Sequence, residues 1–230
     1  MKYEIVLMDL DDTIFDFQKG SEESFRKVSK DMGLPCGHDD WVTYRDINQS
    51  FWDRYSNGEI STDYLKLARF EKYKEVMGID FDTIELYGSY EKLLSSSHFL
   101  VDGAKELLED IWKSGIRIYA ITNGMLNAQY NRLVVRDILK YFTDLFISEK
   151  IGFAKPSKDY CEIVFKSIEN FNKDKTIILG DSLLTDIRMG NENSIDTCLF
   201  TPKDNLSFET TYRPTYIIHI LEDFKKIIGI

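Results

Sequence analysis

Short, nearly continuous apolar runs alternate with longer amphipathic segments along most of this 230-residue chain. Several runs are apolar at almost every position, as in strands that are buried on both faces of a parallel sheet. The amphipathic segments between them have the helical period. This alternation predicts an α/β fold with a doubly wound parallel sheet. The predicted strands are Tyr3–Asp9, Arg117–Thr122, Leu145–Ser148, Thr176–Gly180, Thr197–Phe200 and Tyr216–His219.

One stretch, from about residue 17 to residue 98, has helical periodicity but no convincing strand. Four helices inserted after the first strand are expected to form a small bundle above the sheet, with Ser95–Ser97 as a hinge. The alternative is a helical decoration that takes no part in catalysis. The predicted insert helices are Ser21–Met32, Asp40–Tyr55, a third from Ser61 or Thr62 to Gly78, and Asp82–Leu94. The predicted sheet helices are Asp102–Ser114, Asn127–Tyr141, Ser157–Phe171 and Leu221–Ile228.

The composition limits the partners of the chain. Its 39 acidic and 29 basic side chains give a formal charge of −10, which argues against binding to a nucleic acid polymer. No apolar run approaches the roughly 18 residues of a membrane span, and the first apolar stretch ends in acids, unlike a signal peptide. Cys36, Cys161 and Cys198 are too scattered for a disulfide framework or a thiolate metal site. We therefore expect a cytoplasmic protein without a membrane partner; the oligomeric state cannot be predicted.

The most informative local sequence is Asp9-Leu10-Asp11-Asp12-Thr13, directly after the first predicted strand. Ligands of open parallel sheets bind where the strands end. Clustered carboxylates there repel one another unless a cation or a shared proton intervenes, and Mg²⁺ is the cation that they favour. Asp9 could act as a nucleophile while Asp11 handles a proton. The alternative is an acidic turn that caps the next element.

Two further strings carry groups that suit a phosphate. Thr122 ends a predicted strand, and its hydroxyl and the amide of Asn123 could bind a phosphate oxygen, although Asn123-Gly124 also suits an ordinary turn. Lys155, just before Pro156, could neutralise both a phosphate and the Asp9 carboxylate; taken alone, it could equally be a surface lysine.

A last string ends the predicted strand Thr176–Gly180 in an acid, Asp181, and Asp186 follows. Asp181 would be a further metal carboxylate. Asp186 would order the water molecules of the metal or hold Lys155. The alternative is a helix whose N-terminus is favourably acidic.

Together, the four strings resemble the haloacid dehalogenase superfamily in order and in residue type. The matching residues are Asp9-x-Asp11-x-Thr13, Thr122, Lys155, and Gly180-Asp181 with Asp186. The position of the insert resembles the subclass with a helical cap. The resemblance implies a Rossmann-like catalytic core formed by residues 1–15 and 99–230 and a mobile cap formed by residues 16–98.

The resemblance also implies a mechanism for phosphate ester hydrolysis. Asp9 would attack phosphorus to give an aspartyl-phosphate, and Asp11 would protonate the leaving oxygen and then activate water. Mg²⁺ would be held by the carboxylates of Asp9 and Asp181 and by the backbone carbonyl of Asp11. Dehalogenating relatives lack an acid at the position of Asp11, so phosphate transfer is implied. The groups that would hold the phosphoryl oxygens are Thr122, Lys155 and the amides of Leu10 and Asn123, with Thr13 and Asp186 behind the site.

The strings Asp9–Phe17 and Ser148–Pro156 resemble the 5′-nucleotidase branch, known for acting on pyrimidine nucleoside monophosphates. This implies a small-molecule phosphomonoester substrate. Aromatic side chains of the insert could stack on a base or pack within the bundle; they are Tyr44, Phe51, Trp52, Tyr55, Tyr64 and Phe70. A phosphatase of phosphoglycolate or of a sugar phosphate, and a sugar-phosphate mutase, remain open alternatives.

Other interpretations have less support. Gly180-Asp181-Ser182-Leu183 matches a motif of serine esterases, but no acid–base partner for Ser182 is visible. A phospho-receiver would be much shorter and has no place for the helical insert. We predict no catalytic role for the histidines, which are His38, His98 and His219. The string Asn191–Ile195 is one residue shorter than the family pattern, which leaves the catalytic positions untouched.

Overall fold

Six parallel strands form one sheet in the computed structural model, which describes residues 2–202 and 210–230. The strand order is β3-β2-β1-β4-β5-β6. The strands are β1 (Ile5–Met8), β2 (Arg117–Thr122), β3 (Asp144–Ile147), β4 (Thr176–Gly180), β5 (Asp196–Phe200) and β6 (Tyr216–Ile218). The predicted parallel sheet is therefore confirmed.

Strand β1 lies at the centre of the sheet, and all four of its residues are buried. It pairs with β2 on one side and with β4 on the other. The strand order therefore reverses direction at β1, which is the position where open α/β sheets bind ligands. Asp9 follows β1, Thr122 ends β2 and Asp181 follows β4, so all three lie at this edge.

Helices cover both faces of the sheet because alternate residues of β1 point to opposite sides. Val6 and Met8 pack into one apolar cluster with the helices α5 (Ala104–Ser114) and α10 (Glu222–Ile228). Ile5 and Leu7 pack into a second cluster with α8 (Lys158–Ser167) and α9 (Arg188–Asn193). The remaining helices of this layer structure are α6 (Leu126–Val135) and the short α7 (Ser148–Ile151).

Two predicted helices are shorter than the sequence periodicity indicates. The helix expected over Asn127–Tyr141 ends at Val135, since Asp137 has a φ of 54° and turns the chain into a separate 3₁₀ turn. The helix expected over Ser157–Phe171 ends at Ser167, and Asn170 has a φ of 53°. Asn and Asp tolerate this left-handed conformation better than other residues with side chains.

The insert between β1 and α5 contains four helices, as predicted: α1 (Phe17–Asp31), α2 (His38–Ser56), α3 (Thr62–Met77) and α4 (Thr83–Ser95). Helix α1 begins four residues earlier than expected because Asp16, not Ser21, caps it by accepting from the amide of Lys19. Stacked rings fill the bundle, with Tyr44 packed 4.7 Å from Phe25 and 5.0 Å from Phe70, centroid to centroid. The bundle thus has an apolar core of its own.

The two ends of the insert meet beside the loop that follows β1. Phe15 and Leu100 form an antiparallel bridge, and the amide of Val101 donates to the carbonyl of Ile14 at 3.0 Å. The insert is therefore attached to the sheet through two adjacent chain segments. The domain boundaries at residues 15 and 99 remain a prediction.

Two expectations about the environment of the chain can be compared with the described residues. None of the helices in this part of the chain combines the length and the apolar character that a bilayer crossing requires. All three cysteines are free thiols, and Cys161 and Cys198 are buried.

Candidate active site

A cavity of about 440 Å³ opens between the carboxyl edge of the sheet and the insert. Its volume is within the range of pockets that hold small organic ligands. Its floor is formed by residues that end or follow β1, β2 and β4 and by the loop between α7 and α8. Its roof is formed by residues of α2, α3 and α4. The floor includes Asp9, Asp11, Thr122, Asn123, Lys155, Asp181 and Asp186, and the roof includes Asn48, Trp52, Arg69 and Glu91.

Lys155 is the buried cation of the floor, and its side chain is only 2% exposed. Its Nζ donates to Oδ1 of Asp9 at 2.6 Å, to Oδ1 of Asp186 at 2.7 Å and to the carbonyl of Ile121 at 2.9 Å. These three bonds use all the protons of an ammonium group. Of the two predicted roles of Asp186, the observed contact corresponds to holding Lys155.

Burial and the neighbouring charges both change the pKa values of Asp9 and Lys155. It raises the pKa of Asp9 to about 7, against the opposing charge of Lys155. Burial alone would lower the pKa of Lys155, but Asp186 and Asp9 outweigh it, and the net pKa is raised. Lys155 therefore stays charged, and further positive charge near Asp9 would favour the carboxylate.

A group of three acids marks where such a charge would fit: carboxylate oxygens of Asp9, Asp181 and Asp186 lie within 4.8 Å of one another. Asp181 is exposed to the cavity but lies deep in the cleft. Loss of solvation there, followed by the charges of Asp9 and Asp186, raises its pKa well above the usual value. Both oxygens of Asp186 already accept, one from Lys155 and the other from the amide of Ser182. Asp9 accepts from Lys155 through Oδ1 alone, so its second oxygen and the carboxylate of Asp181 remain as ligands of the kind that Mg²⁺ prefers.

The approach of Asp186 depends on Gly180. A Cβ atom at Gly180 would lie 2.4 Å from the carboxyl group of Asp186. A π-helical turn, Leu183–Ile187, then carries Asp186 back over the end of β4. Such turns are frequent at functional sites.

Asp11 is held by two side chains of α6. Arg132 donates to its Oδ1 at 2.5 Å and Gln129 to its Oδ2 at 2.7 Å. Gln129 also donates to the hydroxyl of Thr122 at 3.0 Å and accepts from Arg132 at 2.6 Å. A Cβ atom at Gly124 would lie 2.0 Å from Gln129. A continuous network therefore joins Asp11 to Thr122.

Gln129 and Arg132 are 1% and 2% exposed, respectively. The sequence patterns do not indicate them as site residues, because Gln and Arg on an amphipathic helix usually lie on its solvated face. The one available signal is their spacing of three residues, which places them on the same side of α6.

Asn123 contributes both its side chain and its backbone. Its side-chain oxygen accepts from the amide of Lys155 at 2.7 Å, and its side-chain nitrogen donates to the carbonyl of Lys155 at 2.9 Å. The backbone amides of Leu10 and Asn123 donate no hydrogen bond within residues 2–202 and 210–230. Both amides are therefore available to an oxygen ligand.

The two other polar residues of the string after β1, Asp12 and Thr13, differ in their hydrogen bonds. Asp12 accepts from the amides of Phe17 and Gln18, at 3.0 Å and 3.2 Å. Asp12 therefore helps to cap the next helix, α1, which is the alternative role that the sequence leaves open for this acidic string. The buried hydroxyl of Thr13 has no hydrogen-bond partner in the described part of the chain.

Most other candidate side chains lie away from the cavity. Among the aromatic candidates, Trp52 lines it, whereas Tyr44 and Phe70 are buried in the bundle and Tyr64 is 55% exposed on another surface. Ser182 accepts from the amide of Thr185, which is a helix-capping contact. The three histidines are exposed and do not line the cavity.

Comparisons with known proteins agree with the fold. Residues 6–200 match the model of the haloacid dehalogenase-like hydrolase family. The chain is 35% identical over 231 residues to a Bacillus subtilis protein named as a HAD-hydrolase, YfnB, covering 100% of this chain and 97% of that protein. A crystal structure of YfnB bound to magnesium superposes with a TM-score of 0.92 at 34% identity, over 100% of both chains.

Two further relatives have names that state an activity. The pyrimidine 5′-nucleotidase PynA of Streptococcus pneumoniae is 31% identical over 227 residues, covering 97% of this chain and 94% of that protein. The pyrimidine 5′-nucleotidase YjjG of Escherichia coli is 26% identical over 228 residues, covering 99% of each chain. The chain belongs to the haloacid dehalogenase-like hydrolase family, as its four strings predict. It is similar to YfnB and to these two nucleotidases along its whole length.

Proposed function

We propose that this hydrolase is a magnesium-dependent phosphomonoesterase that acts on pyrimidine nucleoside 5′-monophosphates. One observation carries the proposal: Asp9, Lys155 and Asp181 converge at the switch point of the sheet, and a second acid, Asp11, stands at the same cavity. Phosphoryl transfer through a covalent intermediate requires a nucleophilic carboxylate, a fixed cation, a pair of metal ligands and a group that carries a proton.

In this proposal Asp9 attacks phosphorus, the bond to the leaving oxygen breaks, and an aspartyl-phosphate forms. Asp11 gives its proton to the leaving oxygen and takes one from the water that later hydrolyses the intermediate. The amides of Leu10 and Asn123 and the hydroxyl of Thr122 hold the phosphoryl oxygens, and the ammonium group of Lys155 attracts them through its charge, since its three protons already bond Asp9, Asp186 and the carbonyl of Ile121. Their free or charged donors lie around the same floor, which supports this role.

Magnesium would be held by the carboxylates of Asp9 and Asp181 and by the backbone carbonyl of Asp11. When bound, it supplies positive charge that offsets the charge developing on the phosphoryl group. The raised pKa values of Asp9 and Asp181 support this assignment, because a cation would stabilise two carboxylates that otherwise disfavour ionisation. Asp186 acts from behind by holding Lys155 against Asp9.

The nucleotide part of the proposal has separate support. Two relatives similar along the whole chain are named pyrimidine 5′-nucleotidases. The roof of the cavity also presents a half-buried aromatic ring, Trp52, on which a base can stack. The leaving group of a nucleotide is a nucleoside, which would extend from the floor towards this roof.

A phosphate-release screen tests the proposal. It compares nucleoside 5′-monophosphates, sugar phosphates and phosphoglycolate, with and without Mg²⁺, using Asp9→Asn as the inactive control. We expect the highest kcat/KM with a pyrimidine nucleotide, and only with metal. Higher kcat/KM with phosphoglycolate or a sugar phosphate would refute the nucleotidase assignment while retaining the phosphatase class. Transfer of phosphate to a sugar phosphate instead of water would indicate a mutase.

A further inference from the structure

The roof of the cavity contains a charged cluster inside an otherwise aromatic bundle. Arg69 of α3 is 2% exposed and donates from Nη1 to Oδ1 of Asn48 at 2.8 Å and from Nη2 to Oε1 of Glu91 at 3.0 Å. Its guanidinium carbon also lies 4.9 Å from the ring centroid of Phe70. Burying a charged arginine is costly unless it is paired and hydrogen-bonded. Glu91 provides the opposite charge, whereas Asn48 provides none.

The bond from Arg69 fixes the orientation of the Asn48 amide. A guanidinium group only donates hydrogen bonds, so the atom of Asn48 that it contacts must be the carbonyl oxygen. The NH₂ group of Asn48 is then directed away from Arg69. Asn48 is 3% exposed, it lines the cavity, and its nitrogen has no hydrogen-bond partner among the described residues. A nearly buried donor without a partner is therefore available at the roof.

Trp52 lies one helical turn after Asn48 on the same side of α2 and also lines the cavity. Its ring centroid is 5.9 Å from the guanidinium carbon of Arg69. An aromatic face and a fixed NH₂ donor are thus adjacent. A flat ring that carries a carbonyl group suits this arrangement, because it can stack on Trp52 while its carbonyl oxygen accepts a hydrogen bond from the NH₂ group of Asn48.

We propose that Asn48 is a specificity-determining residue that donates to a ring carbonyl of the substrate base, with Arg69 as the positioning residue that fixes its amide. This inference rests on the proposed nucleotidase function and deepens it. All pyrimidine bases carry a carbonyl at C2, whereas adenine carries none. Adenosine 5′-monophosphate leaves the buried donor unpaired, and a site built around a hydrogen bond rejects such an analogue strongly.

The test is the substitution Asn48→Asp, which keeps the shape of the side chain and the bond from Arg69. The second oxygen of the introduced carboxylate can only accept, so it repels a carbonyl and attracts the amino group of adenine. We expect N48D to lower the ratio of kcat/KM for uridine 5′-monophosphate to that for adenosine 5′-monophosphate about 10- to 100-fold. Because both rates come from one preparation, partial misfolding cancels in this ratio.

The matched control is Ser50→Asp, which adds the same charge two residues along, at an exposed position of α2 that does not line the cavity. We expect it to leave the ratio of the two nucleotides as it is in the wild-type protein. A ratio that is unchanged in N48D, or lowered equally by S50D, overturns the role of Asn48.

Measurements on the wild-type protein distinguish an error in the role of Asn48 from an error in the proposed nucleotidase function. Ribose 5-phosphate has the same phosphate group but no base. Wild-type kcat/KM that is no higher for uridine 5′-monophosphate than for ribose 5-phosphate overturns the nucleotidase proposal, and the inference about Asn48 with it. A clear wild-type preference for the nucleotide, together with an unchanged ratio in N48D, overturns the inference alone.

Discussion

Arg132 donates a hydrogen bond of 2.5 Å to Oδ1 of Asp11, and the arginine side chain is 2% exposed. The guanidinium carbon also lies 4.4 Å from the ring centroid of Phe15, in the loop that connects β1 to the insert. The position of the Asp11 carboxylate is therefore determined by α6 as well as by its own loop. Proton transfer depends on such placement, since a displacement of about 1 Å can cost about 100-fold in rate.

Replacing Arg132 should mainly lower kcat. In Arg132→Leu, Asp11 and Gln129 each lose a donor, and we expect kcat to fall about 10- to 100-fold. Arg132→Lys should recover part of this loss, because it keeps the charge but not the planar guanidinium whose Nη2 donates to both Asp11 and Gln129. Steady-state kinetics with the best substrate of the screen measures both variants, and thermal unfolding checks that they are folded. A kcat equal to wild type in Arg132→Leu would remove Arg132 from the positioning of Asp11.

The nucleophile assignment predicts that Asp9→Asn lowers turnover about 1,000-fold or more. The variant should remain folded, because the amide oxygen can still accept from Lys155 and a buried charge is removed. Asp12→Asn is the matched control. Asp12 caps α1, and asparagine caps helices equally well, so this variant should keep most of its activity. Phosphate release and thermal unfolding measure both variants, and near-normal turnover by Asp9→Asn contradicts the assignment.

Chelation of divalent metal should abolish activity, and added Mg²⁺ should restore it. Mg²⁺ should also raise the unfolding temperature of the wild-type protein, since a ligand present at 100 times its dissociation constant stabilises by about 2.7 kcal/mol. Asp181→Asn removes a proposed ligand and should show a much smaller shift. Calorimetry with and without EDTA measures the effect; full activity in EDTA would exclude the metal assignment.

The stability of the metal-free protein should fall as the pH rises from about 4 to about 7. Burial raises the pKa of Asp9 to about 7 and also raises that of Asp181. In this interval the folded protein retains protons that the unfolded chain has released. The unfolding free energy then decreases with pH, by at most about 1.4 kcal/mol per unit for each such proton.

Denaturant titrations across this pH range measure the slope. Asp9→Asn has no titratable group at that position and should show a shallower decrease than the wild-type protein. A wild-type stability that rises over this interval, or an identical slope in Asp9→Asn, would contradict the raised pKa of Asp9.

Local signals account for what the sequence predicted correctly. The ends of β2 and β4 match the prediction because apolar runs stop there at polar residues. Once those runs are assigned to one parallel sheet, the residues that follow them must lie at a common edge. That is why Asp9, Thr122 and Asp181 could be placed together without knowledge of the strand order.

Long-range contacts account for what was missed. Gln129 and Asn48 are polar residues on helices, and only the packing of those helices against the cavity shows that they are buried. The same holds for the aromatic residues of the insert, where periodicity does not separate Trp52, at the cavity, from Tyr44, in the bundle. The end of α6 depends on Asp137, whose φ is positive and for which an aspartate gives only a weak signal. Helix α8 ends where the backbone becomes extended at Ile168, which no local pattern indicates.

The paired segments at Phe15 and Leu100 mean that the helical insert enters and leaves the catalytic layer at one place. A module fastened in this way can be exchanged for another without breaking any strand pairing of the sheet. In the proposed function, chemistry on the floor and selection of the leaving group at the roof can consequently evolve separately. New substrates would then arise by altering α2 to α4 while the reaction itself is inherited unchanged.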